Sequence, residues 1–214
     1  MMRYLLLTII TMIFITMTSV FAIDSYTLQV KTKDFIFIGI DPSTESSFNN
    51  SDIYYIRDDG SLIIDLTNSE FDSENQTVWR KDGSGLIFSR NSMRKYKGYN
   101  EEQSSTSFWE MTLSANGRIL SSHELFQMDE LFDRPLRVDQ WLLSPDERTI
   151  AFVPTFEQSF LYIIDIKTHA LSQINTPIEQ AVYQPYHWSA DSTTLGFSAT
   201  VCTPNDNKCD TDYW

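Results

Sequence analysis

Apolar and polar residues alternate along this chain as they do in short strands joined by polar turns. Residues 142–153 read strand, tight turn, strand, and residues 78–89 and 187–198 repeat that pattern when Asp82, Asp146 and Asp191 are aligned. An aromatic follows each aspartate by six residues, at Phe88, Phe152 and Phe197. Three residues before the aspartates stand Trp79, Leu143 and Trp188, and Trp141 lies two further out in the middle copy, on the same face of a strand. Asp in a short loop accepts hydrogen bonds from backbone N–H groups two residues on, while Pro145 or Gly83 supplies the φ that the turn needs. A single hairpin cannot bury its own apolar face, but stacked copies can.

A second hairpin recurs between these, around Asp59-Gly60, Asn116-Gly117 and Thr168-His169. Asp-Gly and Asn-Gly between apolar runs are strong hairpin signals, and His169 in the glycine position implies a left-handed backbone. Gly60 to Asp82 and His169 to Asp191 both span 22 positions, whereas Gly117 to Asp146 spans 29, which places about seven extra residues in the region 127–134. Two hairpins make a four-stranded unit of about 40–45 residues, the size of a propeller blade.

The expected architecture is therefore all-β, a partial β-propeller of four-stranded antiparallel blades. Its units run approximately over residues 52–90, 108–154 and 160–200, with a half unit before them in which stretches 26–30 and 35–38 form strands about a turn at Lys31–Lys33 or Asp34. Residues 91–107, rich in Lys, Glu and Ser, read as a long loop between blades. No linker divides the body, so residues 23–214 form one domain.

Composition narrows the picture. With 42% hydrophobic and 14% aromatic residues the chain can build a core, and a net charge of −13 argues against nucleic-acid binding. Residues 1–22 read as a signal peptide: Arg3 gives a positive start, residues 5–17 an apolar run of thirteen, and Val20-Phe21-Ala22 a small-residue cleavage site. The rival reading is an uncleaved membrane anchor, and on either the body is exported. Cys202 and Cys209 are the sole cysteines, and in an exported protein they are expected to form a disulfide. The competing metal site, with Asp206, Asp210 or Asp212, lacks a nearby His and the Cys-x-x-Cys spacing of zinc sites.

Candidate chemistry is sparse. His187 precedes a repeat Trp and His169 occupies a repeat turn, which leaves His123 as the third histidine. The sequence has no nucleophile elbow, His-Glu-x-x-His pair or phosphate-cradling Gly-rich loop, so no catalytic residue, cofactor or metal is assigned. Glu101-Glu102 and Asp58-Asp59 read as solvated loop carboxylates. Trp79, Trp141 and Trp188 suit a blade core better than a carbohydrate platform. Asn49 and Asn75 open glycosylation sequons, meaningful in a eukaryotic host.

The Ser144-Pro145-Asp146-Glu147 turn with Ile150-Ala151-Phe152, the Trp188-Ser189-Ala190-Asp191 turn, and residues 52–60 closing on Leu66-Thr67-Asn68 resemble the TolB-like, WD-type propeller repeat. The likeness covers nearly all of residues 34–214; Arg80-Lys81, Glu147 and Ser192 depart from the usual turn residues. The resemblance implies a ring of about six blades, of which this chain supplies the front part unless two copies complete one ring as a homo-oligomer. It further implies an exported, non-catalytic scaffold for protein–protein binding, periplasmic or extracellular, engaging an unidentified protein partner at the central channel or blade-top loops. Membrane contact would come only through an uncleaved signal segment. The alternative is the gating propeller of a prolyl-oligopeptidase-type serine peptidase whose catalytic domain lies beyond Trp214; a sugar-active propeller enzyme is a third reading.

Overall fold

The computed structural model describes residues 34–40, 51–69, 72–155, 157, 159–174, 181–203 and 208–214. The signal segment, stretch 26–30, the Lys31–Lys33 turn, Asn49 and Asp206 lie outside them.

Fourteen strands form four antiparallel sheets among these residues. Sheet 1 holds β1 (Phe35–Ile40), β2 (Ser51–Ile56) and β3 (Ile63–Asp65). Sheet 2 holds β4 (Asp72–Trp79), β5 (Gly85–Lys95), β6 (Glu102–Leu113) and β7 (Ile119–Gln127). Sheet 3 holds β8 (Gln140–Leu143), β9 (Thr149–Val153), β10 (Leu161–Asp165) and β11 (Leu171–Ile174). Sheet 4 holds β12 (Val182–Trp188), β13 (Leu195–Thr203) and β14 (Lys208–Tyr213). Within each sheet the strands pair in chain order.

Three apolar clusters lie between successive sheets. Ile53 and Tyr55 of sheet 1 meet Leu86, Phe88 and Met111 of sheet 2. Ile87, Phe108 and Phe126 meet Trp141, Ile150 and Phe152 of sheet 3. Val153 and Leu161 meet Tyr183 and Ala199 of sheet 4. The first strands β4, β8 and β12 lie side by side along the stack.

Hydrogen bonding divides the chain differently from the sequence repeat. Units 52–90, 108–154 and 160–200 each take the last two strands of one sheet and the first two of the next. The described residues thus form two four-stranded and two three-stranded sheets, with the repeat boundaries offset from the sheet boundaries. The repeat counts turns; a sheet is set by which edges pair.

Residues 91–107 are a correction of a second kind. They are not a loop but the far half of a hairpin, with β5 and β6 paired continuously from Gly85↔Thr112 to Lys95↔Glu102. Their polar composition hid the strands because the buried partners are themselves polar. Thr106 Oγ1 donates to Asn91 Oδ1, Val138 N donates to Thr106 Oγ1 at 2.8 Å, and Thr106 N donates to Leu136 O at 2.9 Å. These bonds strap the chain entering β8 onto the hairpin. The extra residues expected in region 127–134 form a short helix, α1 (Met128–Phe132), ended by Asp133 in a left-handed conformation.

Candidate functional site

Antiparallel topology gives the stack two unlike ends. At one end lie the six tight turns of the repeat, each with a residue of positive φ: Gly60 and Gly83 at +69°, Gly117 at +78°, Glu147 at +59°, His169 at +57° and Ser192 at +62°. At the other end lie the longer connections: the β5–β6 tip, α1 with the segment running into β8, the β9–β10 link and the β13–β14 hairpin.

The turn end is built by its aspartates. Ser84 N donates to Asp82 Oδ1 at 2.9 Å, Arg148 N to Asp146 Oδ1 at 3.3 Å, and Thr193 N to Asp191 Oδ1 at 3.2 Å. Hydrogen bonds from Ser84, Ser144 and Ser189 hold the three carboxyls below the ordinary aspartate range. Adjacent turns are also tied. Glu147 accepts from Arg80 Nε at 3.3 Å and from Lys81 N, and Asp146 N donates to Ser192 Oγ at 3.0 Å. Glu147 and Ser192, left-handed residues that are not glycine, therefore reach back to the preceding sheet. All three aspartates serve the backbone of their own turns.

The repeat apolar residues fill the inter-sheet cores. Phe88, Phe152, Trp141 and Trp188 are buried, while Trp79, Leu143 and Phe197 are half-buried against the same clusters. The histidines are not brought together: His123 lies exposed 3.4 Å from Glu110, His169 sits in its turn, and His187 is exposed on β12. Asn75 lies in β4 with its amide nitrogen buried, which closes that sequon to a glycan in the folded chain. Cys202 and Cys209 face each other across β13 and β14 and form the disulfide, Cα atoms 4.1 Å apart.

The opposite end holds the chemistry that spacing did not single out. Between sheets 1 and 2, fully buried Glu74 accepts from Arg90 Nε at 2.7 Å. Thr67 Oγ1 lies 3.0 Å from Asp52 Oδ1 and 3.3 Å from Glu74 Oε2, and one hydroxyl proton can serve only one of these at a time. Burial pushes the Glu74 carboxyl above its ordinary value, against the lowering effect of Arg90. Arg90 also lies 4.8 Å over the Trp109 ring. Glu74 is closed to solvent while Arg90 and Thr67 are half-buried, and the cluster ties two sheets together.

An open cleft of about 440 Å³ lies beyond it, between the β5–β6 tip and the segment running into β8. Met93, Tyr99, Pro135 and Leu136 give it apolar wall, and Arg134, Arg137, Glu102 and Glu157 its charge. Arg134 pairs with Glu157 and Arg137 with Asp139. A smaller cleft of about 140 Å³ opens between sheets 3 and 4 beside Asp139, Thr155 and Gln184. Among the described residues no group of three or more His, Cys, Asp or Glu side chains could hold a metal ion, and no helix is long and apolar enough to cross a membrane.

No protein-family model matches the sequence, and comparison with curated proteins finds no relative. Among solved structures the chain is similar to an oligogalacturonate lyase in complex with manganese, 15% identical, covering 85% of this chain and 44% of that one with a TM-score of 0.51. It is likewise similar to an oligogalacturonate lyase from Vibrio parahaemolyticus, 14% identical, covering 85% of this chain and 45% of that one with a TM-score of 0.50. At such identities the likeness speaks for the fold: the chain is a partial β-propeller of antiparallel sheets. It spans less than half the length of these structures.

Proposed function

We propose that this chain is an exported, non-catalytic propeller module of the TolB-like kind that binds a protein partner through the end opposite its repeat turns. The observation that carries this reading is the asymmetry of the two ends. The turn end spends its carboxylates and positive-φ residues on holding adjacent hairpins together. The other end offers the larger cleft, with Tyr99 and two arginines beside apolar wall. Tyrosine and arginine dominate the energetics of protein interfaces, because each combines a large contact area with hydrogen-bonding capacity. The Cys202–Cys209 disulfide fits an oxidising compartment.

A photo-activated crosslinker placed at Tyr99, and separately at Lys167 in a turn of the opposite end, tests the reading in the native host. A discrete protein adduct from Tyr99 and none from Lys167 is expected. Adducts from Lys167 alone, or from both positions equally, would sink the assignment of the binding end.

A further inference from the structure

A glutamine recurs at one ladder position of the first strands β4, β8 and β12. Phe88, Phe152 and Phe197 pair with Thr77, Trp141 and Pro185, and one step along the same ladders Ser89, Val153 and Ser198 pair with Gln76, Gln140 and Gln184. Gln76 and Gln140 each stand six residues before their turn aspartate and Gln184 seven before, the difference being taken up by a register shift between Pro185 and His187.

Between sheets 2 and 3 the use of this residue is visible. Gln76 reaches from β4 to the backbone of Trp141 on β8, its Nε2 donating to Trp141 O and its Oε1 accepting from Trp141 N. The same reach from Gln140 on β8 would meet Pro185 on β12, which takes the place of Trp141 in sheet 4. Proline has no backbone N–H, so the Gln140 carboxamide oxygen finds no donor there and the bracket cannot form. Gln140 is exposed where Gln76 is half-buried, and the smaller cleft opens at this place, lined by Asp139, Gln140, Val153, Thr155, Val182 and Gln184 among others.

The cleft is polar without being charged. Its one carboxylate, Asp139, lies 2.7 Å from Arg137 Nε, and Val153 and Val182 add apolar wall. Thr155 keeps its hydroxyl oxygen buried without a hydrogen-bond partner, a second polar group left incomplete at the site. At about 140 Å³ the cleft is well below the ~300–1,000 Å³ of pockets for drug-sized ligands and suits one peptide unit with a small side chain. It adjoins the larger cleft, because Arg137 lines that one and its ion-pair partner Asp139 lines this one.

We infer that a segment of the protein partner runs from the larger cleft into the smaller one, where Gln140 holds one of its peptide groups as Gln76 holds Trp141. A carboxamide presents a donor and an acceptor side by side, which a peptide group matches and a lone anion or cation does not. The inference rests on the proposed binding end and adds the chemistry recognised there, which is neutral main chain.

The test places the photo-activated crosslinker at Val182 or at Tyr99, in the native host, in chains with Gln140 unaltered, Gln140→Ala or Gln140→Glu. The same partner adduct is expected from both positions. Each Gln140 substitution should lower its yield at least about fivefold, the worth of about one neutral hydrogen bond, because alanine makes none and an ionised glutamate cannot donate. Urea midpoints separate binding from folding: Gln140→Ala should leave the midpoint unchanged, whereas Gln76→Ala, which removes the internal bracket, should lower it. Undiminished adduct in both Gln140 variants, no adduct from Val182 beside one from Tyr99, or a midpoint lowered by Gln140→Ala as by Gln76→Ala would overturn the inference and leave the binding end standing. Absence of a Tyr99 adduct from the unaltered chain would remove the binding end, and this inference with it.

Discussion

The side-chain amide of Gln76 on β4 brackets the backbone of Trp141 on β8, Nε2 donating to Trp141 O at 2.8 Å and Oε1 accepting from Trp141 N at 3.2 Å. An amide that both donates and accepts in this way does what a neighbouring strand would do, and it does so between sheets 2 and 3. Gln76→Ala leaves both backbone groups without a protein partner, and the loss should be about 1–3 kcal/mol, toward the low end where water replaces the amide. Urea unfolding should show a lower midpoint at unchanged slope. Gln76→Glu keeps the acceptor and sets a carboxylate against the Trp141 carbonyl, so it should be no better than alanine. A midpoint for Gln76→Glu equal to that of the unaltered chain would refute the bracket.

Two glycines separate crowding from backbone strain. A Cβ on Gly85 would lie 1.9 Å from Met111 O, in the paired strand, where no side-chain rotation relieves the clash. A Cβ on Gly60 meets nothing within 4 Å, and only its φ of +69° resists substitution. Gly85→Ala should therefore cost at least about 3 kcal/mol and Gly60→Ala about 1 kcal/mol. Thermal unfolding of the two variants side by side checks the order, and equal costs would contradict it.

The turn periodicity was legible in the sequence because it rests on local rules: an aspartate that caps its own turn, a left-handed residue after it, and large apolar residues at a fixed offset. His169, Glu147 and Ser192 adopt positive φ although none is glycine, so register outweighs residue preference there. The hairpin over residues 91–107 was not legible, because Asn91, Ser105 and Thr106 are buried polar residues, Thr106 bonded to Asn91 and Ser105 to the Leu136 backbone, and give no apolar alternation. Glu74 was hidden for another reason: a register shift between Glu74 and Gln76 breaks the two-residue period just where the charge turns inward. The cleft at Arg134 and Tyr99 joins residues far apart in the chain, and no local signal could have paired them.

Ser192 weighs strain against contact. Its φ of +62° costs a side-chain-bearing residue about 1–2 kcal/mol, while its hydroxyl accepts one exposed hydrogen bond from Asp146 N at 3.0 Å. That bond is worth about 0.5–1 kcal/mol, so Ser192→Gly should be neutral to slightly stabilising and Ser192→Val clearly destabilising. Glu147→Gly relieves the same kind of strain but also gives up the contacts to Arg80 and Lys81, so it should rank below Ser192→Gly. Melting temperatures in the order Ser192→Gly, Glu147→Gly, Ser192→Val are expected, and a reversed order of the two glycine variants would show that the Arg80 contact is not the difference between them.

The buried Glu74 and the turn aspartates act on stability in opposite directions as pH changes. Burial raises the Glu74 pKa above 4.5, with Arg90 offsetting only part of the rise. The native state then holds that proton more tightly than the unfolded chain does. Its contribution is most favourable below 4.5, declines as pH rises through the native pKa, and is level beyond it. Asp59, Asp82, Asp146, Asp165 and Asp191 are held below 3.8 by hydrogen bonds, so what they contribute is present above 3.8 and is lost as pH falls through their native values. Urea midpoints measured from pH 2 to 8 should be compared between the unaltered chain and Glu74→Gln. The variant should gain relative to the unaltered chain as pH climbs from about 4.5 toward neutrality, while the fall in acid stays the same in both. Parallel curves throughout would show that Glu74 is ionised at no cost and that the Arg90 pair, not burial, governs it.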